Sequence, residues 1–100
     1  MAMIIGTAQM SIQIPEARSL KDRRRVVKSL VERVRARFDV AIAEIDDQQY
    51  WQSARIGVVA VSNSSKHVDE VIQQVISFVE QNVRDGYLAD VHTEILHVNQ

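Results

Sequence analysis

The sequence predicts an α+β sandwich, a four-stranded antiparallel sheet with two helices on one face. Three observations carry that reading. Residues 3–14 alternate apolar with polar side chains at the period of a strand. Two later stretches repeat apolar residues at helical spacing, Leu20, Val27, Leu30, Val31, Val34 and Phe38 in one and Val68, Val71, Ile72, Val75, Ile76, Val79 and Val83 in the other. Between and after them lie further strand-like segments, so the order is strand, helix, strand, strand, helix, strand. The chain is 100 residues long, enough for one domain spanning residues 1–100 with one modest core.

In the first strand Ile4, Gly6, Ala8, Met10, Ile12 and Ile14 share one face, and Ile5, Thr7, Gln9, Ser11 and Gln13 the other. The first helix opens at Ser19, a good N-cap, with Asp22 three residues on in a capping-box-like position. Pro15 lies upstream, where it does not interrupt the helix. Residues 39–46 read as a second strand, Asp47-Gln48-Gln49 as a polar turn, and residues 54–61 as a third strand paired with the second as a hairpin. The third strand is apolar on both faces, which marks it as central and calls for cover on the side away from the helices; a second subunit is the simplest cover. Asn63-Ser64-Ser65 forms the turn and N-cap of a second helix, about residues 66–83, and Gly86 is expected at its C-cap or in the turn that follows. A last strand covers about residues 89–98. Two βαβ-like halves with right-handed crossovers give a ferredoxin-like sandwich with strand order 4-1-3-2.

Charge is unevenly distributed. Nine of the twelve basic residues lie between Arg18 and Arg37, opposed there only by Asp22 and Glu32, a local charge of +7 in a chain whose net charge is −1. On a helical wheel Lys21, Arg24, Lys28 and Arg35 line one flank within about 60° of one another, Arg25 lies on the outer surface near Glu32, and Arg33 and Arg37 lie on the opposite flank. Arg23 projects close to the apolar stripe, so its stem is expected to pack while its head reaches out. Such a helix is either a solvated or internally neutralised face, or an anion-binding stripe for nucleic acid. Cations in the first turn oppose the helix macrodipole, so a compensating partner is expected.

Other chemistries find little support. With no cysteine there is no disulfide, thiolate ligand or thiol nucleophile. His67, His92 and His97 lack metal-ligand spacing. Ser62, Ser64 and Ser65 have a capping explanation. The connection after the first strand, Ile14-Pro15-Glu16-Ala17-Arg18, contains an acid and no glycine, unlike a phosphate loop. Glu44, Asp46 and Asp47 form an acidic cluster, read as a charged guard on an edge strand or a partner for arginines rather than a Mg²⁺ site. Tyr50 and Trp51 are expected to close the end of the core, the alternative being an interface anchor. Neither the first nor the third strand carries an aromatic, which disfavours base stacking on the sheet. No apolar run approaches the length of a membrane span, and the N-terminus MAMIIGTAQM lacks the basic start of a signal peptide, so a cytoplasmic location is expected.

The opening apolar strand running into IPEARSLKDRRRVVKSLVERVRARFDV, then AEIDDQQYWQ and then IGVVAVSNSSKHVDEV, together cover most of the chain. In these, and in their order and spacing, the chain resembles the YlxP-like family of bacterial proteins. The resemblance implies the ferredoxin-like fold, a cytoplasmic location and, from the translation-related genes that often lie beside such genes, an RNA or ribosomal context. It implies no catalytic residue and no cofactor. The expectation is therefore a non-enzymatic, homodimeric protein that binds RNA or a ribosomal assembly through Lys21, Arg24, Arg25, Lys28 and Arg35. The competing expectation is a structural or protein-interaction module without a nucleic-acid role.

Overall fold

The computed structural model describes residues 2–45 and 50–98. Its elements are β1 (Met3–Gln13), α1 (Leu20–Arg37), β2 (Ala41–Glu44), β3 (Ser53–Ser62), α2 (Ser65–Asn82) and β4 (Tyr87–Val98). The sheet is antiparallel with order β2-β3-β1-β4. Both helices cover one face, α1 over β2 and β3 and α2 over β1, β3 and β4. This is the ferredoxin-like sandwich, with the first and third strands central.

The alternation of β1 decides which of its residues meet the helices. Ile4, Ala8, Met10 and Ile12 are buried, as are Ala54, Ile56, Val58 and Ala60 of β3, and the helices close over them with Leu30, Val34, Ile72, Val75 and Val79. The opposite sheet face carries Thr7, Gln9, Ser11, Arg55, His92 and Glu94, and towards one end Met3, Ile5, Val59, Val61, Leu96 and Val98. Val61 is 63% exposed and Val59 43%. Among the described residues no helix or strand covers this face, and only the Ile45 side chain lies over it, at Gly57.

Ser19 caps α1 by accepting from the Asp22 N–H at 3.1 Å. Asp22 reaches back to the N–H of Arg18, one position before the cap, at 3.0 Å. Ser64 caps α2 in the same way, accepting from the His67 N–H. Ser19→Ala is expected to lower the unfolding free energy by about 1 kcal/mol, measured by urea titration.

Several boundaries differ from those expected. The second strand is shorter than residues 39–46, because Phe38 closes α1 in an extended conformation and residues 38–40 make the bend into the sheet. The last strand starts earlier, at Tyr87. Gly86 lies in the turn that follows α2, as expected, but it is not the left-handed residue there. That conformation belongs to Asp85, at φ 60°, where an aspartate is tolerated better than most side chains. Gly86 is small for another reason: a side chain there would run into the backbone carbonyl of Gln13. The turn 47–49, with Asp46 and Asp47 of the acidic cluster, lies outside the described residues.

Tyr50 and Trp51 do not close the core. They are 71% and 45% exposed. The turn end of the β2–β3 hairpin is tied by Gln52, whose Nε2 donates to the Ala17 carbonyl at 2.9 Å and whose own carbonyl accepts from the Ile14 N–H at 2.7 Å.

Candidate nucleic-acid interface

The arginines and lysines of α1 separate into those the fold has engaged and those it leaves in solvent. Arg23 is engaged most deeply. It is 3% exposed, head included. Its Nε donates to the Ser53 carbonyl at 2.6 Å. Its Nη2 lies 3.3 Å from Glu44 Oε1, an ion pair without hydrogen-bond alignment. The expectation that its head would reach solvent is thus corrected. The position next to the apolar stripe, combined with β3 and β2 crossing beneath, gives the guanidinium a carbonyl and a carboxylate to meet.

Arg33 crosses to the other helix. Its Nη1 donates to the carbonyl of Asn82 at 2.7 Å, at the C-terminus of α2, where a cation complements both the unpaired carbonyl and the macrodipole. Burial lowers the pKa of its guanidinium, and the nearby charge of Arg84 lowers it further. Arg37 lies 5.3 Å from the ring centre of Phe78, which stands edge-on to Phe38. Arg35 donates through Nη2 to the Ile42 carbonyl at 2.8 Å, tying α1 to β2.

Lys21, Arg24, Arg25 and Lys28 remain. All four are exposed, and among the described residues none pairs with a carboxylate or donates to a carbonyl. Arg24, Lys28 and Arg35 line one groove of about 450 Å³ between α1 and β2, with Val27, Val31 and Ala43 on its floor and Glu32 and Glu44 beside them. Arg25 does not belong to this groove. It opens on a separate cleft of about 130 Å³ with Glu16, Asp22 and Asp85, an acidic neighbourhood that weakens it as an anion contact. The wheel placed these residues on α1 correctly. It could not show that the short β2 edge would form the second wall, nor that the turn after α2 would bring Asp85 to Arg25.

The groove presents Arg24, Lys28 and Arg35 above an apolar floor, with Glu32 and Glu44 among them. Such a surface can neutralise phosphates along a backbone. Among the residues that line it, no acid–base pair or nucleophile is placed against a third group. The histidines lie elsewhere: His92 faces Glu94 at 3.4 Å on the open sheet face, His67 stands at the start of α2, and His97 pairs in register with Ile4 near the end of β4. Among the described residues no three His, Cys, Asp or Glu side chains gather as a metal site, and no helix is long and apolar enough to cross a membrane.

Residues 5–93 match the family model described as a protein of unknown function, DUF503. The chain is also similar to the uncharacterised protein YlxP of Bacillus subtilis (strain 168), at 38% identity over 77 residues, covering 77% of this chain and 84% of that protein. The family match takes in α1, the groove and nearly the whole sheet, and the chain belongs to the DUF503 family of YlxP-like proteins.

Proposed function

We infer that this is a non-enzymatic cytoplasmic protein that binds RNA, or an RNA-rich assembly such as the ribosome, through the flank of α1 that faces the β2 edge. The observation that carries the reading is the division among the cations of α1. Arg23, Arg33, Arg35 and Arg37 meet a carboxylate, a carbonyl or an aromatic ring, whereas Lys21, Arg24 and Lys28 are exposed and make no salt bridge among the described residues, although Glu32 and Glu44 line the same groove as Arg24 and Lys28. A helix kept basic only for internal neutralisation would pair these residues too. The contact is to phosphate, so it positions RNA without reading its bases. β1 and β3 have no aromatic to stack a base upon.

The test is fluorescence anisotropy with structured RNA over a salt series. Wild type binds with a steep log–log salt slope, and Lys21→Ala/Arg24→Ala/Lys28→Ala loses about 2 to 3 units of that slope. Arg35 is left intact because its guanidinium also holds α1 to β2. Absence of binding at low salt, where electrostatic attraction is strongest, overturns the reading. If an acidic protein binds the same flank and unlabelled RNA fails to compete, the surface belongs to a protein partner instead.

A further inference from the structure

The two edges of the sheet are built differently. β2 is short and carries Glu44. β4 runs from Tyr87 to Val98 without Pro, Lys or Arg, and Ile95, Leu96 and Val98 are 37%, 44% and 38% exposed. A long, uncovered, partly apolar edge strand invites another strand, and chains that must stay single usually blunt it. The irregularity in β4 is the register shift opposite Ser11 and Ile12, where Ala89 is the extra residue.

We propose that β4 pairs antiparallel with β4 of a second copy, with the two-fold axis at Thr93, to make one continuous eight-stranded sheet. The register follows from the side chains. Pairing with β1 puts His92 and Glu94 on the open face, opposite Gln9 and Thr7, and puts Val91, Thr93 and Ile95 on the helix face, opposite Met10, Ala8 and Gly6. A two-fold axis perpendicular to the sheet keeps each face with itself, so it must pass through a residue position. With Thr93 on the axis, His92 falls opposite the second copy's Glu94 and Val91 opposite its Ile95, each pair occurring twice. With His92 on the axis, imidazole meets imidazole and Asp90 meets Glu94. With Glu94 on the axis, two carboxylates meet. With Val91 on the axis Asp90 would meet His92, but the extra residue Ala89 would then fall inside the ladder, opposite Thr93. The Thr93 register sets imidazole against carboxylate and apolar against apolar while keeping the bulge at the ladder's ends. The bulge at Ala89 ends the ladder on each side. All four helices lie on one face of the joined sheet, so two basic flanks face the same way. The apolar end of the open face offers no comparable feature to select its occupant. The pairing is independent of RNA binding.

The experiment uses the full chain, which has no native cysteine. In an antiparallel sheet, residues directly opposite have Cα atoms about 4.5 to 5.5 Å apart, within disulfide range. Thr93→Cys therefore crosslinks to a covalent dimer under mild oxidation, while Gln73→Cys on the exposed face of α2 does not. Sedimentation equilibrium supplies the second readout. His92→Glu and Glu94→Lys each weaken the dimer about tenfold or more, and the double variant, which exchanges the charges across the axis, restores it to within about twofold. His92 and Glu94 side chains are 66% and 54% exposed, so neither change threatens the fold. Wild type that stays monomeric over the whole concentration range overturns the proposal. So does a dimer that neither crosslinks in the Thr93→Cys variant nor responds to the charge exchange, which places the interface on the open face or elsewhere.

Discussion

Gly6→Val lowers the unfolding free energy by about 3 kcal/mol, a large part of the stability of a domain this size. Gly6 lies in the middle of the sheet on β1, facing α2, and is buried. A Cβ at that position would collide with Val68 Cγ1 and stand 3.0 Å from Ile72 Cγ1. The helix backbone is held close to the strand there, and both neighbours are themselves buried with no room to withdraw. Gly6→Ala gives a smaller loss by the same mechanism. The decisive measurement is a double-mutant cycle in urea. Val68→Ala alone costs about 2 kcal/mol as a cavity. In Gly6→Ala/Val68→Ala the new methyl occupies the space the old ones leave, and the double variant is more stable than the two single losses together predict. Strict additivity would mean that α2 does not approach β1 at this point.

Arg23→Ala is expected to cost about 3 kcal/mol, the low end for breaking a buried ion pair. The guanidinium donates to the Ser53 carbonyl and pairs with Glu44, and its stem fills space beside Val27 on the buried side of α1. The Glu44 side chain is 30% exposed, so its carboxylate turns to water when the arginine is lost, which keeps the cost from rising further. Arg23→Met retains the stem and loses only the head, so it falls between wild type and alanine. Denaturant titration of the three proteins separates the two contributions. If alanine and methionine unfold at the same midpoint as wild type, the guanidinium is not holding α1 to the hairpin.

The elements of this fold were legible because their signals are local. Ser19 and Asp22 are three residues apart, and the alternation in β1 needs only neighbours. What escaped lay in distances across the sequence. The wheel put Arg23 beside the apolar stripe, yet the carbonyl that accepts its hydrogen bond is thirty residues away on β3. Gly6 reads as one more small residue in an alternating strand until α2 is laid over it. The left-handed residue of the turn after α2 is Asp85, and Gly86 is small because it lies against the Gln13 carbonyl at the end of β1, a contact far apart in sequence. Tyr50 and Trp51 looked like core because aromatic surface is normally buried, whereas Gln52 ties the turn end of the hairpin and both rings stand in solvent. On α1 the cations themselves were legible. The sequence could not sort Arg24 and Lys28, which share a groove with β2, from Arg25, which faces acids in another cleft.

If α1 is an RNA-binding surface, the location of its cations matters more than their total charge. RNA affinity should therefore be compared, at one low salt concentration, between two variants that each lose three positive charges. One is Lys21→Ala/Arg24→Ala/Lys28→Ala on the flank. The other is Arg55→Ala/Lys66→Ala/Arg84→Ala, three exposed cations on β3, α2 and the turn after it. The flank variant is expected to lose about a hundredfold or more in affinity, while the other changes by less than about tenfold. Equal losses in both, or no binding by wild type, would remove the RNA surface from α1 and return the basic helix to a role within the protein or against a protein partner.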